Sequence, residues 1–184
     1  MNEAELRNLM YTAQLDSNEL PFVIRYPRGE GVMPEWKTEM QEIKIGTGRK
    51  LKDGQDIAIL SFGHVGNFAA SAIRDVKAEG INPAHYDMRF VKPLDEEMLH
   101  EVFSKYNKVI TIEDGTVVGG FGSAILEFMN EHGYKADVKI MGIPDRLVEH
   151  GTPKQLYDEI GIDANGIADM LRVLSKINVA ELIK

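Results

Sequence analysis

The sequence predicts an α/β fold in three layers: a mainly parallel sheet with helices on both faces. Three observations predict it. From Ile43 onward, short apolar runs alternate with helical patterns, and the alternation repeats four times. The runs are near-continuous rather than alternately polar, as strands covered on both faces are. Their connections are helical, and helical crossovers join parallel neighbours. The length of 184 residues suits one domain and also allows a second, partial unit.

The elements follow in chain order. Asn2 and, three residues later, Glu5 form a helix N-terminal capping pair, and Leu6, Leu9, Met10 and Ala13 recur at helical spacing. The chain therefore opens on a short amphipathic helix. Polar Asp16-Ser17-Asn18-Glu19 leads into Phe22–Tyr26, which reads as a buried strand. One helix–strand pair cannot enclose a core, so this pair is expected to be the remnant of a preceding domain. From Glu30 to about Glu42 the chain is irregular and polar apart from Val32, Met33 and Trp36, as a linker packed against something would be.

Ile57-Ala58-Ile59-Leu60-Ser61-Phe62 reads as the next strand. It passes through Gly63 into a helix marked by Phe68, Ala69, Ala72, Ile73 and Val76, which Gly80 stops. Ala84–Met88 is a strand, followed by a helix from Asp95 whose Glu96 and Glu97 suit the positive end of its dipole. Val109-Ile110-Thr111-Ile112 runs into a glycine-rich loop and a helix marked by Ala124, Ile125, Phe128 and Met129. Val138–Ile143 is the last strand, and helices near Pro153–Glu159 and Ala164–Ser175 follow it.

Composition excludes several function classes. Apolar content of 43% and charged content of 27% are those of a folded domain. A net charge of -8 with no long Lys/Arg run repels nucleic acids and anionic membranes, so neither is an expected partner. The absence of cysteine removes disulfides, thiolate zinc sites and cysteine nucleophiles, and suits a reducing compartment. There is no leader pattern at the N-terminus and no apolar run near the roughly 20 residues that span a bilayer. The expectation is a soluble, cytoplasmic protein.

In open parallel sheets, ligands meet the loops beyond the carboxyl ends of the strands. The glycines of Gly63-His64-Val65-Gly66-Asn67 can present backbone N–H groups to an anion. Neither this loop nor Gly119-Gly120-Phe121-Gly122 has dinucleotide-binding spacing, and no phosphate-cradling G-x-x-x-x-G-K-[ST] element exists. Glu113-Asp114 can act as acid and base or hold a cation, or it can cap a helix or pair with an arginine. The glycines after it imply close backbone approach to a ligand or to a neighbouring domain, with Phe121 among them as a contact residue. Asp145, Arg146, Glu149 and His150 cluster within one loop, which fits a hydrogen-bonded loop as well as catalysis. Arg25-Tyr26-Pro27-Arg28-Gly29 ends the first apolar run in a cationic lip. Guanidinium groups bind phosphate or carboxylate through paired hydrogen bonds, so Arg25 and Arg28 suit a small anionic substrate, with an inter-domain salt bridge as the alternative.

Five motifs occur in register: Arg25-Tyr26-Pro27-Arg28-Gly29, Asp87-Met88-Arg89-Phe90-Val91-Lys92-Pro93-Leu94-Asp95, Glu113-Asp114-Gly115, Gly119-Gly120-Phe121-Gly122-Ser123 and Pro144-Asp145-Arg146-Leu147-Val148-Glu149-His150-Gly151. Together they resemble the C-terminal portion of the 1-deoxy-D-xylulose-5-phosphate synthases, a transketolase-like family. The resemblance implies a transketolase C-terminal domain over residues 34–184. Residues 1–33 would be the tail of a pyrimidine-binding domain and the start of a linker. It implies an enzyme that joins pyruvate to glyceraldehyde 3-phosphate with loss of carbon dioxide, using thiamine diphosphate and magnesium, as a homodimer. The family's diphosphate and magnesium motif, and the carboxylate that activates the cofactor, belong to segments not in this chain. The chain alone is therefore expected to bind neither group and to be inactive. The resemblance gives Arg25 the substrate's anionic group, with Arg28 as second choice. It makes Glu113, Asp114, Gly119, Gly120, Phe121, Gly122, Arg146 and His150 candidate contacts to the missing N-terminal and pyrimidine-binding domains. The alternatives are the C-terminal unit of another transketolase-family enzyme, or a stand-alone dimerisation or binding module.

Overall fold

The computed structural model describes residues 1–176. Asn2 caps the first helix, α1 (Glu3–Thr12), by accepting a hydrogen bond from the Glu5 N–H at 2.9 Å. A five-stranded sheet follows: β1 (Arg49–Lys52), β2 (Ile57–Phe62), β3 (Ala84–Asp87), β4 (Lys108–Thr116) and β5 (Asp137–Ile143), in the order β1-β3-β2-β4-β5. β3, β2, β4 and β5 are parallel, and β1 runs antiparallel along β3. The helices are α2 (Gly66–Val76), α3 (Glu96–Lys105), α4 (Phe121–Glu131), α5 (Pro153–Glu159) and α6 (Ala164–Lys176).

The near-continuous apolar strands are explained by two cores, one on each face. Ile57, Ile59, Ile110 and Ile112 meet Ala69, Ile73 and Val76 of α2 and Ile167, Leu171 and Leu174 of α6. Ala58, Leu60, Tyr86 and Val109 meet Leu99 and Val102 of α3 and Phe121, Ile125 and Phe128 of α4. The expected three-layer, mainly parallel architecture is the one observed. The chain leaves β2 for the α2 face and leaves β4 for the opposite, α4 face. The loops after these adjacent strands therefore diverge, leaving a crevice at their carboxyl ends.

The expected strand at Phe22–Tyr26 does not form. Residues 21–27 form no regular structure and carry no ladder, and Val23 and Tyr26 are 85% and 71% exposed. A strand requires a neighbour for its N–H and C=O groups, and no segment among the described residues lies alongside this one. Phe22 packs edge-on to Phe90 at 6.2 Å.

β1 went unrecognised in the sequence because Arg49-Lys50-Leu51-Lys52 is short and basic, the composition that blunts a sheet edge. It also anchors α1. Arg49 donates to Asp87 at 3.0 Å and to Glu5 at 2.9 Å, and Arg89 grips the same Glu5 carboxylate at 2.8 and 3.0 Å. The segment expected to be a linker lies back along α1. Val32 and Met33 N–H groups donate to Glu3, Gln41 N–H to Asn8, and Ile43 N–H to Thr12. The bonds from Gln41 and Ile43 cross the boundary expected near residue 33.

Candidate functional site

The crevice between β2 and β4 gathers residues from four distant segments. His64 follows β2, Glu113 and Asp114 lie near the end of β4, Tyr157 comes from α5, and Arg25 comes from the irregular segment 21–27. The β4–β5 register shifts between Ile112 and Thr116, which turns Glu113 and Asp114 to separate tasks.

Glu113 is 3% exposed and accepts the N–H groups of Phe121 and Gly122, both at 2.9 Å. Its carboxylate thus occupies the positive end of α4, where a phosphate would otherwise sit. At Gly120 and Gly122 the close approach implied by the glycines is an approach to their own chain, whereas Gly119 faces open space. A Cβ on Gly120 would stand 2.0 Å from the Thr116 carbonyl and 2.6 Å from the Glu113 carboxylate. Phe121 is 1% exposed and stacks on Phe62 at 5.4 Å, so its ring is spent inside the core and is not available to a neighbouring domain.

Asp114 makes three contacts. Its carbonyl accepts from Arg25 Nη2 at 2.8 Å, its Oδ2 accepts from the Tyr157 hydroxyl at 3.0 Å, and His64 Nε2 lies 3.7 Å away. His64 Nε2 is also 3.0 Å from the Tyr157 oxygen. Because the phenol spends its one proton on Asp114, His64 Nε2 must be the donor in that pair. Burial lowers the His64 pKa against the opposing pull of Asp114, which keeps the imidazole neutral. Burial, reinforced by Asp114, pushes the Tyr157 phenol up to about 12, so it remains a donor. Phe68 closes the cluster at 5.5 Å from the Tyr157 ring.

The remaining expected site residues are dispersed. Arg28 is exposed in a bend beyond Arg25. Arg146 pairs with Glu159 at 3.2 Å on the surface, and His150 is exposed farther along the same loop. Exposed Leu147, Val118 and Tyr26 also lie on the loops and the irregular segment at this end of the sheet. Tyr157 was not foreseen, because its helix pattern does not say where it docks. Outside this cluster, His85 is 2% exposed and lies 2.9 Å from Ser61 Oγ.

Among the described residues, no three or more His, Asp or Glu side chains come together to hold a metal ion. With the α4 N-terminus already filled by Glu113, the groups present here do not fit a diphosphate with its cation.

A family model, the transketolase C-terminal domain, matches residues 46–167. The chain belongs to the transketolase C-terminal domain family. It is also similar to curated proteins named 1-deoxy-D-xylulose-5-phosphate synthase. That of Cytophaga hutchinsonii is 60% identical over 177 residues, covering 96% of this chain and 28% of that protein. That of Parabacteroides distasonis is 55% identical over 94% of this chain and 27% of its own length. That of Geobacillus thermodenitrificans is 41% identical over 94% of this chain and 28% of its own length. The chain therefore spans little more than a quarter of the relatives it matches. A solved structure described as a split gene transketolase, inactive beta4 tetramer, shares the transketolase fold. It superposes with a TM-score of 0.67 at 31% identity, over 73% of this chain and 44% of that one.

Proposed function

We infer that this family member is the C-terminal part of a synthase that condenses pyruvate with glyceraldehyde 3-phosphate to 1-deoxy-D-xylulose 5-phosphate, a precursor for isoprenoids. The observation that carries the reading is the 60% identity to such a synthase, sustained across 96% of the chain. In this reading Arg25 receives the anionic end of the phosphorylated aldehyde, with Arg28 beside it in sequence. Thiamine diphosphate and magnesium supply the carbanion chemistry on segments outside this chain, and the assembled enzyme is a cytoplasmic homodimer. No helix among the described residues is long and apolar enough to cross a membrane.

Within that enzyme this chain's residues orient and bind. Arg25 is held against the Asp114 carbonyl at the crevice mouth, while the exposed loops carrying Val118, Arg146, Leu147 and His150 face the remaining domains. The purified chain, mixed with thiamine diphosphate, magnesium, pyruvate and glyceraldehyde 3-phosphate, is expected to give no product by chromatography, whereas the longer protein containing it turns over. Turnover by the chain alone, or none of this product by the longer protein, contradicts the reading.

A further inference from the structure

Arg25 lies near the Glu113 carboxylate and rests on the backbone of Asp114, and it pairs with neither carboxylate. Around the position that a Cβ on Gly115 would take, Arg25 Nη1 lies at 3.3 Å and Glu113 Oε2 at 2.7 Å. The Asp114 carboxylate belongs to the very residue whose carbonyl holds the guanidinium. Yet among the described residues no carboxylate oxygen comes within 4.0 Å of an Arg25 nitrogen. Each carboxylate is held elsewhere: Glu113 by two N–H groups of α4, and Asp114 by the Tyr157 hydroxyl at 3.0 Å. The two restraints differ in strength. Glu113 is buried and doubly bonded, whereas Asp114 is half-exposed and rests on one hydroxyl.

We propose that Tyr157 is a positioning residue for Arg25. Its hydroxyl draws the Asp114 carboxylate away, so the guanidinium is oriented by the Asp114 carbonyl yet keeps its charge for the phosphate of the substrate. A carbonyl oxygen aligns a guanidinium without neutralising it; a carboxylate on the same residue would do both and compete with the ligand. His64 supports the arrangement by donating to the phenol oxygen, which directs the phenol's own proton to Asp114. The crevice between diverging loops is where an open parallel sheet presents such groups to a ligand. The inference rests on the proposed role of Arg25 as the phosphate contact.

The test is steady-state kinetics of the longer synthase that carries this chain. Tyr157→Phe preserves the ring that packs on Phe68 and His64 and removes only the hydroxyl. Asp114 is then released to pair with Arg25, and the KM for glyceraldehyde 3-phosphate rises roughly fivefold, the scale of one partly exposed ion pair. The kcat, the KM for pyruvate and the KM for unphosphorylated glyceraldehyde stay at their original values. Adding Asp114→Asn to Tyr157→Phe returns the KM for the phosphorylated aldehyde toward the starting value, because the amide cannot neutralise Arg25. An unchanged KM in Tyr157→Phe, or a rise that Asp114→Asn does not reverse, overturns the proposal. Arg25→Ala measured alongside separates the two readings. If it raises that KM while Tyr157→Phe does not, only the positioning role falls; if it leaves that KM unchanged, the phosphate role of Arg25 falls as well.

Discussion

His85 shows how one buried side chain sets a pH limit on the fold. Burial, aided by the positive charges of Arg49 and Lys52, pushes its pKa from 6.5 down to about 4. A depressed folded-state pKa means that the unfolded chain binds the proton first. The stability His85 contributes is complete above pH 6.5 and is lost as pH falls toward 4. Between about pH 7 and about pH 5 the loss is about 2 kcal/mol. Urea unfolding of His85→Asn beside the parent protein should show a shallower decline over that interval, and parallel declines would contradict the assignment. At this scale the sequence revealed chemistry but not partnership. The guanidinium of Arg25 is visible in the sequence as a cation ending an apolar run, but the carbonyl it rests on is 89 positions away. Tyr157 lies 43 positions from Asp114 and 93 from His64, separations that no local pattern encodes.

The elements were legible where local rules suffice. Asn2 caps its helix as its spacing predicts, the helix expected from Asp95 begins there with Asp95 as its cap, and Gly80 ends the turn after α2 in a left-handed conformation at φ 79°. Phe22–Tyr26 has a strand's composition without a strand's neighbour, and β1 has a neighbour without the composition. Pairing, which is not local, decided both. Helix α4 has no side-chain cap from its own N-cap residue, because Gly120 stands there; Glu113 on β4 supplies the acceptor instead. Glu113→Ala leaves two buried N–H groups unmet and should destabilise the fold by about 2–3 kcal/mol. Chemical denaturation provides the measurement, and a change below about 0.5 kcal/mol, the scale of an ordinary surface substitution, would show the cap to be dispensable.

At the scale of the whole molecule, the sheet end is ordered by charges that its own chain supplies. Glu5 ties α1 to Arg49 and Arg89, Glu113 fills the helix that a phosphate would otherwise claim, and Asp114 is diverted to Tyr157. Arg25 has no ion-pair partner among the described residues, on a segment with no strand partner, at the mouth of a crevice that the rest of a longer enzyme would close. The fold class was readable because both faces of the sheet are covered from within this chain. The crevice was not readable, because its walls come from four segments that only the folded topology brings together. In the proposed function Arg25 serves the anionic end of one substrate and not the reaction in general. Steady-state kinetics of Arg25→Ala in the longer synthase tests it most directly. The expected outcome is at least a tenfold rise in KM for glyceraldehyde 3-phosphate, the scale of a lost charge-assisted hydrogen bond, with the KM for pyruvate nearly unchanged. Equal effects on the two substrates, or none on either, would contradict it.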